Sequence, residues 1–226
     1  FSMLTLAMQQ VYARVKGGYS VVGVIAGKGL FAFRDPNGIR PLVMGKKPRA
    51  NGGFDYIFSS ENTPFSTLGY EHDGDVAPGE VVFVNTEGKI FRERLVNELF
   101  TPCVFEYVYF ARPDAVLNNI SVYRARLRMG QNLARRWMET HPDVRPDLVV
   151  PVPFSSNPIA LAFAHEIGVR YSEAIYRNVF VGRTFLMPGM EDRAKSVNRK
   201  LSPQKIELEG KDILLVDDSI VRGVTS

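Results

Sequence analysis

The chain has 226 residues, of which 45% are hydrophobic and 23% charged, and its formal net charge is +4. This composition excludes a disordered chain and is typical of a globular protein with a packed core. The basic residues are dispersed and no apolar run is long enough to cross a bilayer, so neither nucleic acid nor a membrane is expected as a partner.

The cysteine content and the first residues bear on where the protein works and on its extent. The only cysteine, Cys103, excludes an internal disulfide and fits a reducing, cytoplasmic location. The chain begins with Phe1, and the segment from Ser2 to Val15 has the pattern of a helix already under way. We therefore expect an internal fragment of a longer protein.

The first 94 residues have the pattern of an antiparallel sheet. Apolar strands are predicted from Tyr19 to Ala26 and from Leu30 to Arg34, joined by a glycine-containing hairpin turn. A tight turn is predicted from Asp35 to Gly38. Further short strands are predicted at Pro41–Met44, Tyr56–Ser59, Val81–Asn85 and Lys89–Arg94. Two acids beside Gly74, Asp73 and Asp75, are interpreted as turn residues.

After residue 95 a long helix is predicted, starting at Ser121. Its apolar positions recur every three or four residues, at Val122, Ala125, Met129, Leu133 and Trp137. Its arginines are assigned to a solvated face, and these are Arg124, Arg126, Arg128, Arg135 and Arg136.

A β–α–β pattern follows this helix. A buried strand is predicted within residues 147–153, and then a helix with Asn157 as N-cap, Pro158 at its first position and Gly168 beyond its end. The second strand, Ile213–Val216, is apolar throughout and is expected to be buried on both faces. The alternation predicts an α/β protein with a parallel sheet.

A pair of acids, Asp217 and Asp218, follows this second strand directly. Open α/β sheets bind ligands at the carboxyl ends of their strands. The next residues, 219–226, are mostly small or hydroxyl-bearing, and such a loop can turn backbone N–H groups and hydroxyls toward a phosphate. Two carboxylates beside a phosphate cradle predict a site for a phosphorylated sugar.

These residues resemble the 5-phosphoribosyl-1-pyrophosphate (PRPP) loop of type I phosphoribosyltransferases. Other segments are similar, in the same order, to the amidophosphoribosyltransferase family: Arg34–Leu42, Phe105–Asp114, Ile120–Tyr123, Val181–Phe185 and Arg193–Leu201. The resemblance implies that residues 1–94 are the C-terminal part of an Ntn-hydrolase glutaminase domain. Residues 95–226 would be the N-terminal part of a phosphoribosyltransferase domain, whose parallel sheet is truncated at the PRPP loop.

The resemblance also implies roles for individual residues. Asp217 and Asp218 would be catalytic and would bind a magnesium ion together with Ser155, although the neighbouring Ser156 could supply the hydroxyl instead. Phe154 stands where the family usually has an acid. The implied PRPP-binding residues are Ser219, Arg222, Gly223, Val224, Thr225, Ser226, Arg183, Lys195 and Lys200.

The family reaction displaces pyrophosphate from PRPP with ammonia taken from glutamine, as the first step of de novo purine synthesis. It implies PRPP, glutamine or ammonia, and inhibitory purine nucleotides as partners, Mg²⁺ as cofactor, and a homo-oligomer when complete. Some family members hold an iron–sulfur cluster through a cysteine at the position of Cys103, but one cysteine does not support a cluster here. The family's glutaminase nucleophile is an N-terminal cysteine, so the 226 residues alone are expected to lack glutaminase activity.

Two alternatives remain open at this point. One is an amidotransferase or phosphoribosyltransferase that uses a different acceptor. The other is a non-catalytic PRPP-binding regulatory module or a decayed fragment. The three histidines, His72, His141 and His165, lack the spacing of metal ligands and suggest no further chemistry.

Overall fold

The structure is a computed structural model that describes residues 1–50, 52–180 and 201–220. The chain folds as two units, Phe1–Val122 and Tyr123–Ser226. The predicted boundary near residue 94 concerns the functional domains rather than these units, and it stays a prediction.

The first unit is built mainly of short antiparallel strands. Its elements in chain order are α1 (Ser2–Arg14), β1 (Ser20–Ile25), β2 (Gly29–Arg34), β3 (Val43–Pro48), β4 (Phe54–Ser59), α2 (Thr63–Leu68), β5 (Glu71–Asp75), β6 (Glu80–Asn85), β7 (Ile90–Arg94), a π-helical turn (Glu106–Phe110), β8 (Val116–Leu117) and β9 (Ile120–Ser121). Strands pair antiparallel in the orders β1-β2-β6-β7 and β4-β3-β5. The predicted antiparallel architecture of this part is confirmed.

The core of the first unit follows the two-residue period of its strands. On β2, Ala32 packs in a cluster with Met44 of β3, whereas the next residue, Phe33, packs in a cluster with Tyr12 of α1. Successive side chains of a strand point to opposite faces, so β2 contributes to both clusters. Burial of both faces explains why β2 reads as a nearly continuous apolar run in the sequence.

The interpretation of Asp73 and Asp75 as turn residues is wrong. Both lie in β5, where Asp75 pairs with Val43 of β3 and the carboxylate of Asp73 lies 2.5 Å from the Lys46 ammonium. The strand is Glu-His-Asp-Gly-Asp and lies at the edge of its sheet. Edge strands commonly carry charged side chains, and so no hydrophobic pattern marked this one.

The predicted turn at Asp35–Gly38 is present and is organised around two buried charges. Arg34 is 1% exposed and donates to the Arg40 carbonyl at 2.6 Å and to Asn118 Oδ1 at 3.1 Å. Asp35 is fully buried and accepts the backbone N–H groups of Ile39 and Arg40 at 2.9 and 3.0 Å. Buried charges need such partners, so this turn is a rigid part of the first unit.

A third buried charge, Glu106, pairs with Arg40 and is 5% exposed. Burial raises the pKa of Glu106, although the charge of Arg40 acts in the opposite direction. The folded protein therefore holds the Glu106 proton more tightly than the unfolded chain does. The stability that this carboxyl contributes is greatest in acid and is lost as the pH rises through its folded-state pKa.

We expect the Glu106→Gln variant to gain stability relative to the wild type as the pH rises from 4 to 7, because Gln keeps the shape without the buried charge. Urea unfolding at several pH values measures the difference in the free energy of unfolding. Glu98→Gln is the control, since Glu98 is exposed and its difference from the wild type should stay constant. If the Glu106→Gln variant instead lost stability relative to the wild type as the pH rises, the pairing of Glu106 with Arg40 would outweigh its burial.

The second unit contains the parallel sheet. Its elements are α3 (Val122–Thr140, beginning on the last residue of the first unit), β10 (Leu148–Pro151), α4 (Asn157–Ile167), β11 (Arg170–Tyr171), β12 (Ile175–Arg177), β13 (Leu201–Pro203), α5 (Lys205–Leu208) and β14 (Ile213–Val216). Strands β11, β10 and β14 are parallel in that order, and β12 pairs antiparallel with β13. Helices α3 and α4 cover the sheet through Ala134 and Phe163, which pack in a cluster with Val149 and Val216. The predicted α/β class is confirmed.

Three burial predictions for the second unit are wrong, and they concern β14, Arg126 and Leu133. Strand β14 is not buried on both faces, because Ile213 and Leu215 are 41% and 38% exposed. Within the described residues β14 pairs only with β10 and so lies at an edge of the sheet. Arg126 of α3, assigned to the solvated face, is 1% exposed.

The buried stripe of α3 explains the position of Arg126. Buried residues recur every four positions, at Val122, Arg126, Gly130 and Ala134. Leu133, predicted to face the core, lies beside this stripe and is 47% exposed. The sequence pattern selected bulky apolar residues, whereas the buried stripe also contains the long polar Arg126 and the small Gly130 and Ala134.

The bounds of α4 also differ slightly from the prediction. Asn157 is the first residue of α4 and Ser156 is its N-cap, while Gly168 ends the helix in the left-handed conformation as predicted. Among the described residues, no helix combines the length and the apolar character that a membrane span requires.

Candidate functional site

The candidate site lies where β10 and β14 end. The two strands are parallel and in register from Leu148↔Ile213 to Pro151↔Val216, so their carboxyl ends meet at one edge of the sheet. Beyond the last pair, the N–H of Val152 donates to the Val216 carbonyl at 2.9 Å. This register places the loop after β10 next to the acids after β14, as the sequence predicts for a ligand site of an α/β sheet.

Asp218 is held by hydroxyl groups from both loops. The Ser155 hydroxyl donates to Oδ2 of Asp218, and the Ser219 hydroxyl donates to Oδ1 at 2.7 Å. The first of these contacts joins the loop after β10 to the segment after β14. Each carboxylate oxygen of Asp218 therefore accepts a hydrogen bond from one hydroxyl group.

The neighbouring Asp217 lies in a different environment. Its Oδ1 accepts the backbone N–H of Asp218 at 2.8 Å, and the residue is half-buried. Burial raises the pKa of Asp217, and the negative charge of Asp218 raises it further. A cation or several hydroxyl donors at this place would stabilise the ionised form, so the pair is suited to a metal ion or a ribose diol.

The donor atoms of this site fit a magnesium ion. The two carboxylates and the Ser155 hydroxyl offer only oxygen atoms, and Mg²⁺ is usually held by one or two carboxylates together with water and substrate phosphates. In the described ranges, no three His, Cys, Asp or Glu residues lie together as a metal cluster. Two carboxylates and one hydroxyl leave positions for water and substrate phosphates among the ligands of such an ion.

The two serines that the sequence could not separate have different surroundings. The Ser156 side chain is fully buried and its hydroxyl donates to the Val152 carbonyl within the same loop. The Ser155 hydroxyl instead reaches Asp218. Ser155 therefore contacts Asp218, whereas Ser156 stabilises the loop through its hydrogen bond to Val152.

The sequence did not predict the side-chain contacts beside this loop. Tyr171 and Asn157 both donate to Oε1 of Glu173, at 2.9 and 3.1 Å. The Arg177 guanidinium lies over the ring of Phe154, 5.5 Å from its centroid. These contacts join residues from separate elements, so no spacing in the sequence predicts them.

The remaining predicted ligands of PRPP cannot be placed. Of the loop after β14, Ser219 is described and exposed. The others lie outside the described residues, and these are Arg183, Lys195, Lys200, Arg222, Gly223, Val224, Thr225 and Ser226. Their roles stay predictions.

Comparison with known proteins gives a consistent result. No family model matches the chain. Among curated proteins, the amidophosphoribosyltransferases of Pseudomonas aeruginosa, Escherichia coli and Schizosaccharomyces pombe are 45%, 47% and 46% identical to it. These matches cover 97%, 94% and 97% of this chain and 44%, 42% and 44% of the relatives. The chain thus spans less than half the length of the relatives that it matches.

Solved structures agree with the sequence relatives. The glutamine PRPP amidotransferase from B. subtilis, complexed with ADP and GMP, matches with a TM-score of 0.79 and 34% identity, over 96% of this chain and 45% of that one. A structure described as the allosteric regulatory enzyme of purine biosynthesis also matches with a TM-score of 0.79, over 96% of this chain and 44% of that one. Sequence and fold therefore point to the same group of proteins.

Proposed function

We propose that this chain, a homologue of the amidophosphoribosyltransferases along 97% of its length, is part of an enzyme that makes 5-phosphoribosylamine. The substrates would be PRPP and ammonia derived from glutamine, and pyrophosphate and glutamate would be released in this first step of purine synthesis. The observation that supports this most is the acid pair Asp217 and Asp218 at the end of β14, held from β10 through Ser155.

The proposal divides the chain between two activities. Residues 1–94 would belong to the glutaminase domain, which supplies ammonia, and residues 95–226 would belong to the transferase domain. We further propose that the enzyme works in the cytoplasm. The division is supported by single relatives that match 97% of the chain, and therefore both of its parts.

The reaction depends on negative charge placed near the ribose ring rather than on a strong nucleophile. When pyrophosphate leaves C1 of PRPP, positive charge develops on the ribose ring, and fixed negative groups nearby stabilise that charge. Asp218 would bind a ribose hydroxyl and lie beside the developing charge, in the direction that Ser155 and Ser219 impose. Asp217 would bind the second hydroxyl.

A metal ion and a phosphate cradle would complete the site. Asp217, Asp218 and Ser155 would hold Mg²⁺, whose positive charge would favour departure of the pyrophosphate. The 5-phosphate would be bound by residues 219–226, through backbone N–H groups and the hydroxyls of Thr225 and Ser226. Arg183, Lys195 and Lys200 would contact the pyrophosphate.

The test uses the full-length protein with PRPP, Mg²⁺ and either ammonia or glutamine. We expect pyrophosphate to be released with both nitrogen sources, activity to vanish when the metal is chelated and to return when Mg²⁺ is added, and purine nucleotides to inhibit. Pyrophosphate release without formation of phosphoribosylamine would indicate a different acceptor. PRPP binding without turnover would favour the regulatory module, and absence of PRPP binding would overturn the proposal.

A further inference from the structure

The loop that carries Ser155 is held by hydrogen bonds at its two ends, and its Ser155 hydroxyl contacts Asp218. At its start, the N–H of Val152 donates to the carbonyl of Val216 at 2.9 Å. At its end, the buried Ser156 hydroxyl donates back to the Val152 carbonyl. Between these anchors lies Phe154, whose side chain is 50% exposed and gains little from burial in a core.

An arginine from another element holds this exposed ring. The guanidinium of Arg177 lies 5.5 Å from the centroid of Phe154, within the range of a cation–π interaction. Within the described part of the chain, Arg177 forms no ion pair with a carboxylate, and its guanidinium contacts the face of the Phe154 ring. An arginine stacked on a ring also keeps its N–H groups in a fixed plane.

Arg177 is itself fixed by the backbone. It is the last residue of β12 and pairs with Leu201, the first residue of β13. The cation–π contact therefore connects the β12–β13 hairpin to the loop after β10. Phe154 is followed directly by Ser155, whose hydroxyl donates to Asp218. Phe154 and the hydroxyl that contacts Asp218 therefore lie on adjacent residues of one loop.

We propose that Phe154 and Arg177 are positioning residues that set the orientation of Asp218 toward PRPP, acting through Ser155. The inference rests on the proposed function, because it assumes that PRPP binds at Asp218. It adds a dependence on two side chains that need not touch the substrate.

A double-mutant cycle in the full-length protein tests this inference. Phe154→Leu removes the aromatic face but keeps an apolar side chain, and Arg177→Gln removes the charge. We expect each single change to lower kcat/KM for PRPP by about three- to tenfold, and the double variant to be no worse than either single one, since both remove the same contact. Phe154→Tyr keeps the ring and should restore the wild-type value.

The control variant is Arg170→Gln, which breaks a 3.2 Å ion pair with Glu207 in the same unit and should leave kcat/KM unchanged. Losses that multiply in the double variant would show that Arg177 acts directly on the substrate, and would overturn the inference. Unchanged kcat/KM in both single variants would overturn it as well. If the wild-type protein does not use PRPP, the proposed function itself is wrong. The kcat/KM of the wild type, measured before the variants, identifies that outcome.

Discussion

Replacing Asp218 with Asn in the full-length protein should lower PRPP-dependent turnover by about 10²- to 10³-fold, the usual cost of removing one preorganised electrostatic group from an active site. The change keeps the size of the side chain, and Asn still offers one oxygen to the hydroxyls of Ser155 and Ser219. What it removes is the negative charge beside the ribose and one ligand of the proposed metal ion. Steady-state release of pyrophosphate from PRPP measures the effect.

Two controls separate this chemical role from a structural one. Asp212→Asn makes the same substitution on an exposed acid just before β14, at the end of the strand opposite the site, and should leave turnover unchanged. Glutamine hydrolysis by the Asp218→Asn protein should continue, because Asp218 lies outside residues 1–94, the proposed glutaminase part of the chain. If Asp218→Asn instead lost stability in proportion to its activity, or kept full turnover, Asp218 would not have the catalytic role.

The sheet that positions the site could be predicted from the sequence because its strands have a strong local signal. Leu148–Pro151 is fully buried and apolar, and Pro158 and Gly168 mark the two ends of α4. Strand β5 gave no such signal, since it is polar and is held by its pairing with β3. Pairing between distant segments decides such a strand, and propensity does not reveal it.

In the candidate site too, local sequence signals were predictive, whereas contacts between distant segments were not. The position of Asp217 and Asp218 directly after an apolar strand was enough to predict where they lie. The choice between Ser155 and Ser156 was not possible, because adjacent hydroxyls in a loop differ only in the direction that the backbone gives them. The contact between Phe154 and Arg177 joins residues of two separate elements, and only the fold brings them together.

Replacing Gly130 with Ala should destabilise the second unit by about 1–3 kcal/mol, the usual cost of overpacking a well-packed core. A Cβ at this position would lie 2.2 Å from the Ile159 carbonyl oxygen and 3.0 Å from the Cβ of Ala162, both on α4. At an open helical position the same change would stabilise by about 1 kcal/mol, because Ala is the better helix former. The sign of the effect therefore reports how closely α3 and α4 pack.

The matched control is Asn132→Ala on the exposed side of α3, which should leave stability unchanged or raise it slightly. Chemical unfolding of both variants measures the difference.

Because the backbone of α4 cannot yield locally at Ile159, we expect the helix to shift as a whole, and its first turn follows directly on Ser155 and Ser156. Gly130→Ala should therefore also raise KM for PRPP. A Gly130→Ala protein more stable than the wild type would show that the two helices separate without cost.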